Sequence, residues 1–219
     1  MKHIVLYGGT FDPPHYGHLN TARAVQQHVS LDRFIFLPCK DPVLKKTARA
    51  SSQHRQAMLQ LALHDLTGFE MDSREIMRNT PSFMVDTLES FRDEFGEETA
   101  LSLCLGMDAF QQLPHWKSWQ KILNLSHLII MQRATCNEQT LLTPLKELLL
   151  VHRIHDPHDL RTKSSGHIYC LDAGHYSISS SQIRQKIQTG ESIKEDVPSQ
   201  VDAYIKAQAL YLSCPNASN

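Results

Sequence analysis

Short apolar runs that end on glycine or proline alternate with longer segments whose apolar residues recur at helical spacing. Residues 3–7 form one such run before Gly8-Gly9, 33–37 another before Pro38, and 100–105 a third before Gly106. Residues 127–131 and 168–171 are two more. Between them, helices are expected over 19–29, 51–66, 85–95 and near 138–150, then over 180–188 and 199–212. Helical spacing is carried by Met58, Leu59, Ala62 and Leu66 in one helix, and by Val201, Ile205, Ala209 and Leu212 in the last. Alternating strands and helices predict an α/β fold: a parallel sheet with helices on both faces. Such sheets bind ligands at the carboxyl ends of their strands. One domain is expected over residues 1–212, with a surface loop at 156–166 and a frayed tail at 213–219.

Composition narrows the partners. The chain is 41% hydrophobic and 21% charged, as in a globular protein with a full core. Lys plus Arg number 22 against 23 Asp plus Glu, so bulk electrostatic capture of nucleic acid or a membrane surface is not expected. An anionic substrate must instead be held by a local cluster. The five cysteines (Cys39, Cys104, Cys136, Cys170, Cys214) make no CxxC pair, which suggests reduced thiols in a cytoplasm. No signal peptide and no membrane span is read from the apolar runs.

The first strand runs into Gly8-Gly9-Thr10-Phe11-Asp12-Pro13-Pro14-His15-Tyr16-Gly17-His18. Neither GxxxxGK[ST] nor GxGxxG occurs in it. Glycines let the backbone approach phosphate oxygens, and a helix start offers free N–H groups and the positive end of a dipole. His15 and His18, three residues apart, can face one point in the first turn. The string therefore suits a polyphosphate, although two such histidines could also be loop and cap residues. A second string, Ser177-Ile178-Ser179-Ser180-Ser181-Gln182-Ile183-Arg184, places hydroxyls and a cation at another helix start. That arrangement can hold outer phosphates, or be a serine cap beside a solvated arginine.

Together these strings resemble the HxGH nucleotidyltransferase superfamily, whose members carry GxFDPxHxGH and ISSTxIR; Ser181 replaces the threonine. The middle of the chain resembles the bacterial nicotinate-nucleotide adenylyltransferase family in particular. The resembling segments are residues 79–88 (NTPSFMVDTL), 105–110 (LGMDAF) and 113–119 (LPHWKSW), and the likeness extends over about residues 3–212. Phe83 and Met84 replace that family's Tyr and Thr, so a side-chain hydroxyl contact would be lost there while backbone contacts would not.

The resemblance implies a Rossmann-like sheet and transfer of AMP from ATP to nicotinic acid mononucleotide in NAD biosynthesis, with Mg²⁺ accompanying ATP. It implies that His15 and His18 meet the α-phosphate, and that Gly8, Gly9, Thr10, Phe11 and Gly17 line the ATP site. Ser180, Ser181 and Arg184 would hold the outer phosphates, Lys45 would add charge, and Gly106 and Asp108 would meet the ribose. Trp116 would stack on the pyridine ring, with Ser82, Phe83 and Met84 around its carboxylate. Plainer readings stand beside these: Trp116 or Trp119 as core, Phe83 as packing, Asp108 as a helix N-cap. Phosphopantetheine as acceptor, cytidylyl transfer, and a regulator without turnover are the alternative functions. His152, His155 and His158 with Asp156 and Asp159 could suggest a metal site, although Pro157 interrupts any shared helix face. Oligomeric state is left open.

Overall fold

The computed structural model describes residues 1–41, 48–132, 141–174 and 176–212. Its centre is a seven-stranded parallel sheet. In chain order the strands are β1 (His3–Gly9), β2 (Arg33–Pro38), β3 (Phe69–Met71), β4 (Ala100–Gly106), β5 (His127–Gln132), β6 (Arg153–Ile154) and β7 (Ile168–Asp172). In space they lie 3-2-1-4-5-7-6, all neighbours parallel. The order turns back between β1 and β4, the place where open α/β sheets form a crevice at their carboxyl ends.

Helices cover both faces, and strand alternation decides which residues meet which helices. Val5, Phe34, Phe36, Cys104 and Ile129 point to one core. They pack there against α1 (Tyr16–His28), α2 (Ser52–Leu63), α8 (Ser180–Thr189) and α9 (Ser199–Ala207). The alternate residues Ile4, Leu6, Ile35, Leu103 and Ile130 point to the other. Its cover is α4 (Met84–Phe95), α5 (Met107–Gln111), α6 (Trp119–Leu125) and α7 (Thr143–His152). A single turn, α3 (Arg74–Met77), precedes α4.

The structure departs from the sequence reading in several places, the short helices α3, α5 and α6 among them. The edge strands β3 and β6 were not expected; they are short and only partly buried, so they leave no apolar run. The 156–166 loop contains a 3-10 helix, Pro157–Arg161, whose Leu160 is fully buried in the first core. Helix α7 begins at Thr143, and the earlier part of its predicted span, up to residue 140, lies outside the described residues. Helix α9 stops at Ala207, and Ala209 and Tyr211 take left-handed backbone at φ 49° and 64°. Leu212, expected on its apolar face, is 60% exposed. The predicted tail at 213–219 is also outside the described residues.

Candidate active site

The loop after β1 opens at the crevice between β1 and β4. His15 is the N-cap residue of α1 and His18 lies in its first turn, three residues on. Their rings stack at 3.7 Å between centroids. The backbone N–H of His15 donates to His18 Nδ1 at 3.3 Å, so a neutral His18 carries its hydrogen on Nε2. His15 is 5% exposed, and burial holds its ring down to about pKa 4 despite the nearby Asp196 carboxylate. Its Nδ1 is buried and, among the described residues, has no hydrogen-bond partner. A buried polar atom left so is costly unless a ligand meets it.

The glycines of the string answer to this packing. A Cβ on Gly17 would lie 2.9 Å from both Cε1 and Nδ1 of His15 and 3.4 Å from the Ile178 carbonyl oxygen. A Cβ on Gly9 would stand 2.8 Å from the Phe11 ring, which folds back over the loop from a left-handed φ of 50°. Phe11 in turn meets His18 edge-on at 5.0 Å. Beside Gly8 lies the Met84 side-chain methyl, Cε, 2.9 Å from where a Cβ would be. Thr10 is half-buried next in line.

The second string packs onto the first, although 167 residues separate them. Ser180 Oγ donates to the Pro13 carbonyl at 2.9 Å, and the Arg184 guanidinium donates to the Asp12 carbonyl at 2.7 Å and to Ser181 Oγ at 3.2 Å. Ser179, not Ser180 or Ser181, is the N-cap of α8, accepting from the Gln182 N–H at 3.2 Å. Ser181 is exposed and Arg184 remains partly accessible at the mouth of the crevice.

On the other side of β1, α4 presents its N-terminus, with Phe83 as N-cap, whose side chain makes no capping hydrogen bond. The Lys117 ammonium lies over the Phe83 ring at 4.7 Å and pairs with Asp86 at 3.0 Å. That joins residues 82–86 to the 116–119 segment. Trp116, Trp119 and Met84 all sit half-buried at the margin of the second core. Ser82 Oγ accepts from the Lys40 N–H at 3.2 Å. Gly106 is the N-cap of α5, so Asp108 is a first-turn acid rather than the cap, and its carboxylate folds back beside Gly106. Lys45 lies outside the described residues.

Several residues of this region were not singled out from the sequence. Asp12 is buried, and its carboxylate accepts from the N–H groups of Arg49 (2.7 Å) and Ala50 (3.1 Å) and from the Tyr211 hydroxyl (2.7 Å). Arg55 is 1% exposed and donates to the carbonyls of Thr10, Cys39, Lys40 and Ala50, tying the loops after β1 and β2 together. Glu75 is buried, accepts from Thr87 Oγ1 at 2.8 Å, and burial pushes its carboxyl up. A charge on an apolar helix face, as Arg55 is beside Met58 and Leu59, was the available signal. As for the suspected metal site, His158 pairs with Asp156 at 2.8 Å and His152 bonds the Gly166 carbonyl. Among the described residues no three His, Cys, Asp or Glu side chains group as metal ligands.

Comparison with known proteins fits this geometry. Residues 6–186 match the model of the cytidylyltransferase-like family. A protein of Legionella pneumophila (strain Corby) named "Probable nicotinate-nucleotide adenylyltransferase" is 41% identical over 211 residues, covering 96% of this chain and all of the relative. The chain belongs to the nicotinate-nucleotide adenylyltransferase family. A relative of the same name from Yersinia enterocolitica is 41% identical over 94% of both chains. Among solved structures, Plasmodium falciparum nicotinic acid mononucleotide adenylyltransferase complexed with NaAD shares the fold at a TM-score of 0.71 and 18% identity. It covers 96% of this chain and 98% of its own. The chain is thus a nucleotidyltransferase with the Rossmann-like sheet of that family. Among the described residues no helix is long and apolar enough to cross a membrane.

Proposed function

We propose a residue-by-residue assignment for the reaction of this enzyme, transfer of AMP from ATP to nicotinic acid mononucleotide, giving nicotinic acid adenine dinucleotide and pyrophosphate in NAD biosynthesis. The observation that carries it is the stacked His15–His18 pair at the β1/β4 crevice, with the α8 arginine lashed to the same loop.

The acceptor's 5′-phosphate oxygen attacks the α-phosphorus in line, and pyrophosphate leaves. That oxygen is anionic near neutral pH, so positioning and charge stabilisation do the work and a general base is not required. His18 donates from Nε2 to the α-phosphate, where charge shifts during transfer. His15, held neutral by burial, stacks against His18 and supports it beside the same group. Gly8, Gly9, Thr10, Phe11 and Gly17 shape the ATP cradle, and Gly106 and Asp108 take the ribose. Arg184 and Ser181 hold the outer phosphates, and Lys45 adds charge. Ser180, already donating to Pro13, serves them chiefly by fixing α8 against the loop.

The α4 N-terminus suits the pyridine carboxylate: its first-turn N–H groups, with Ser82, Phe83 and Met84 around them, attract an anion without any hydroxyl at 83 or 84. Trp116 stacks on the ring. Mg²⁺ bound with ATP would supply charge neutralisation at the outer phosphates, beside Arg184 and Ser181. Asp12, a carboxylate of the cradle loop, is already engaged by two N–H groups and a hydroxyl, so the ion would be held mainly by phosphate oxygens and water. The reaction is assigned to the cytoplasm.

The test is pyrophosphate release with MgATP and, separately, nicotinic acid mononucleotide, nicotinamide mononucleotide and phosphopantetheine. Fast release with the first alone is expected. Equal release with the amide would remove the carboxylate from the α4 N-terminus. Release with phosphopantetheine only would overturn the acceptor assignment.

A further inference from the structure

The chain beyond α9 reaches back to the phosphate loop. After Ala207 it takes two left-handed residues, Ala209 and Tyr211, neither of them glycine. Such conformations are unfavourable for side-chain-bearing residues and persist where surrounding contacts hold them. The contacts here are specific. Leu210 and Tyr211 pack against the first core, and the Tyr211 hydroxyl donates to Asp12 Oδ1 at 2.7 Å across 199 residues of sequence. Desolvation and the adjoining carboxylate push the phenol's pKa up, so it stays a donor at neutral pH.

What Tyr211 grips is the junction of the candidate site. The other Asp12 oxygen accepts from the Arg49 N–H and lies 3.8 Å from the Arg184 guanidinium, which also donates to the Asp12 carbonyl. Asp12 thus links the β1 loop to Arg184, and Tyr211 holds the carboxylate that sits beside that arginine. We propose that Tyr211 is a positioning residue for the triphosphate half of the site, acting through Asp12; this rests on the assignment of Arg184 to the outer phosphates. The 207–212 segment is then a strap that sets the arginine, remote from the pyridine side at α4.

Tyr211→Phe removes the hydroxyl and keeps the ring, so the fold is retained. Calorimetric titration of a non-hydrolysable MgATP analogue should show weakening of about 10-fold, the effect of losing one hydrogen bond to a charged group when it is transmitted fully. In turnover the KM for ATP should rise alike, while the KM for the mononucleotide stays within about 2-fold and the melting temperature moves by only a few degrees. In an Asp12→Ala background, which leaves the Tyr211 hydroxyl without its acceptor, the same substitution should add nothing. Unchanged analogue affinity, or equal weakening of both substrates, would overturn the proposal, as would full additivity with Asp12→Ala. If Asp12→Ala does not fold, the titration of Tyr211→Phe alone decides. A wild type that binds the analogue but transfers AMP to no pyridine mononucleotide would overturn the acceptor assignment, and with the analogue titration Tyr211 is still decided.

Discussion

Acidification should unfold this protein through histidines that the fold keeps neutral. His127 is fully buried at the start of β5. Its Nε2 donates to the Lys163 carbonyl at 3.0 Å and its Nδ1 accepts from the His167 N–H at 2.9 Å, so both nitrogens are committed to the neutral ring. Burial is the main cause that holds it down to about pKa 4. His15 stands at about 4 for the same reason, and burial lowers His3 as well. In the unfolded chain each returns to an ordinary value near 6.5.

The sign follows from proton counting. Between these two values the unfolded state binds more protons, so stability is complete above about pH 6.5 and falls as pH drops toward about 4. For one such histidine the loss at about pH 5.5 is ~1.4 kcal/mol, and its ceiling below the folded pKa is ~3.4 kcal/mol. His127 and His15 together give ~3 kcal/mol at about pH 5.5, which at m near ~2–3 kcal/mol/M lowers the urea midpoint by about 1 M. Glu75, pushed up by burial, works in the opposite direction, so the comparison is best made in a Glu75→Gln background. Urea unfolding at about pH 7.5 and about pH 5.5 measures the effect, and His127→Gln should remove about half of it. An equal pH dependence with and without His127, or an imidazole NMR titration of His127 with a midpoint above about 6, would refute the reasoning.

Three further outcomes are expected. His18→Ala should lower kcat by at least ~10²-fold, the scale of losing one charge-stabilising donor, as measured by pyrophosphate release; near-normal turnover would remove it from the reacting phosphate. Gly17→Ala, whose Cβ would press on the His15 ring at 2.9 Å and on the Ile178 carbonyl, should cut kcat about 10-fold or more while leaving the mononucleotide KM intact, checked by steady-state kinetics. Trp116→Ala should raise the mononucleotide KM by about 10-fold with ATP binding kept; an unchanged KM alongside a large loss of stability would make Trp116 purely a core residue.

Much of the fold could be read from the sequence because β1, β2, β4, β5 and β7 are continuous apolar runs, and only strands buried on both faces need such runs. The edge strands escaped for the converse reason: Phe69–Met71 and Arg153–Ile154 are half-wetted and too short to show a period. The last helix was overdrawn because Ala209 and Leu212 continue its spacing, while the chain's turn back toward Asp12 is set by a contact 199 residues away. The meeting of the two strings, Ser180 on Pro13 and Arg184 on Asp12, was legible only as a coincidence of chemistry. Their distance apart in sequence says nothing about register; the parallel sheet brings both to its carboxyl edge.

Arg55 shows what a sequence can and cannot flag. It lies on the face of α2 that carries Met58, Leu59 and Ala62, and a guanidinium there must find acceptors or destabilise the fold. Arg92 has the same signature, beside Leu88 and Phe91 on α4, and it too is nearly buried among carbonyls. The acceptors of Arg92 are Leu125, Gly96, Thr99 and Ser164, at the amino-end side of β4 and β5, away from the crevice. Those of Arg55 are Thr10, Cys39 and Lys40, at the carboxyl ends of β1 and β2, and Ala50, at the start of α2. Identical local patterns therefore yield one clamp on the scaffold and one on the site. The difference lies in which end of the sheet the helix face meets, and that is a property of topology: one arginine grips the loops at the carboxyl ends of β1 and β2, and the other grips the opposite edge.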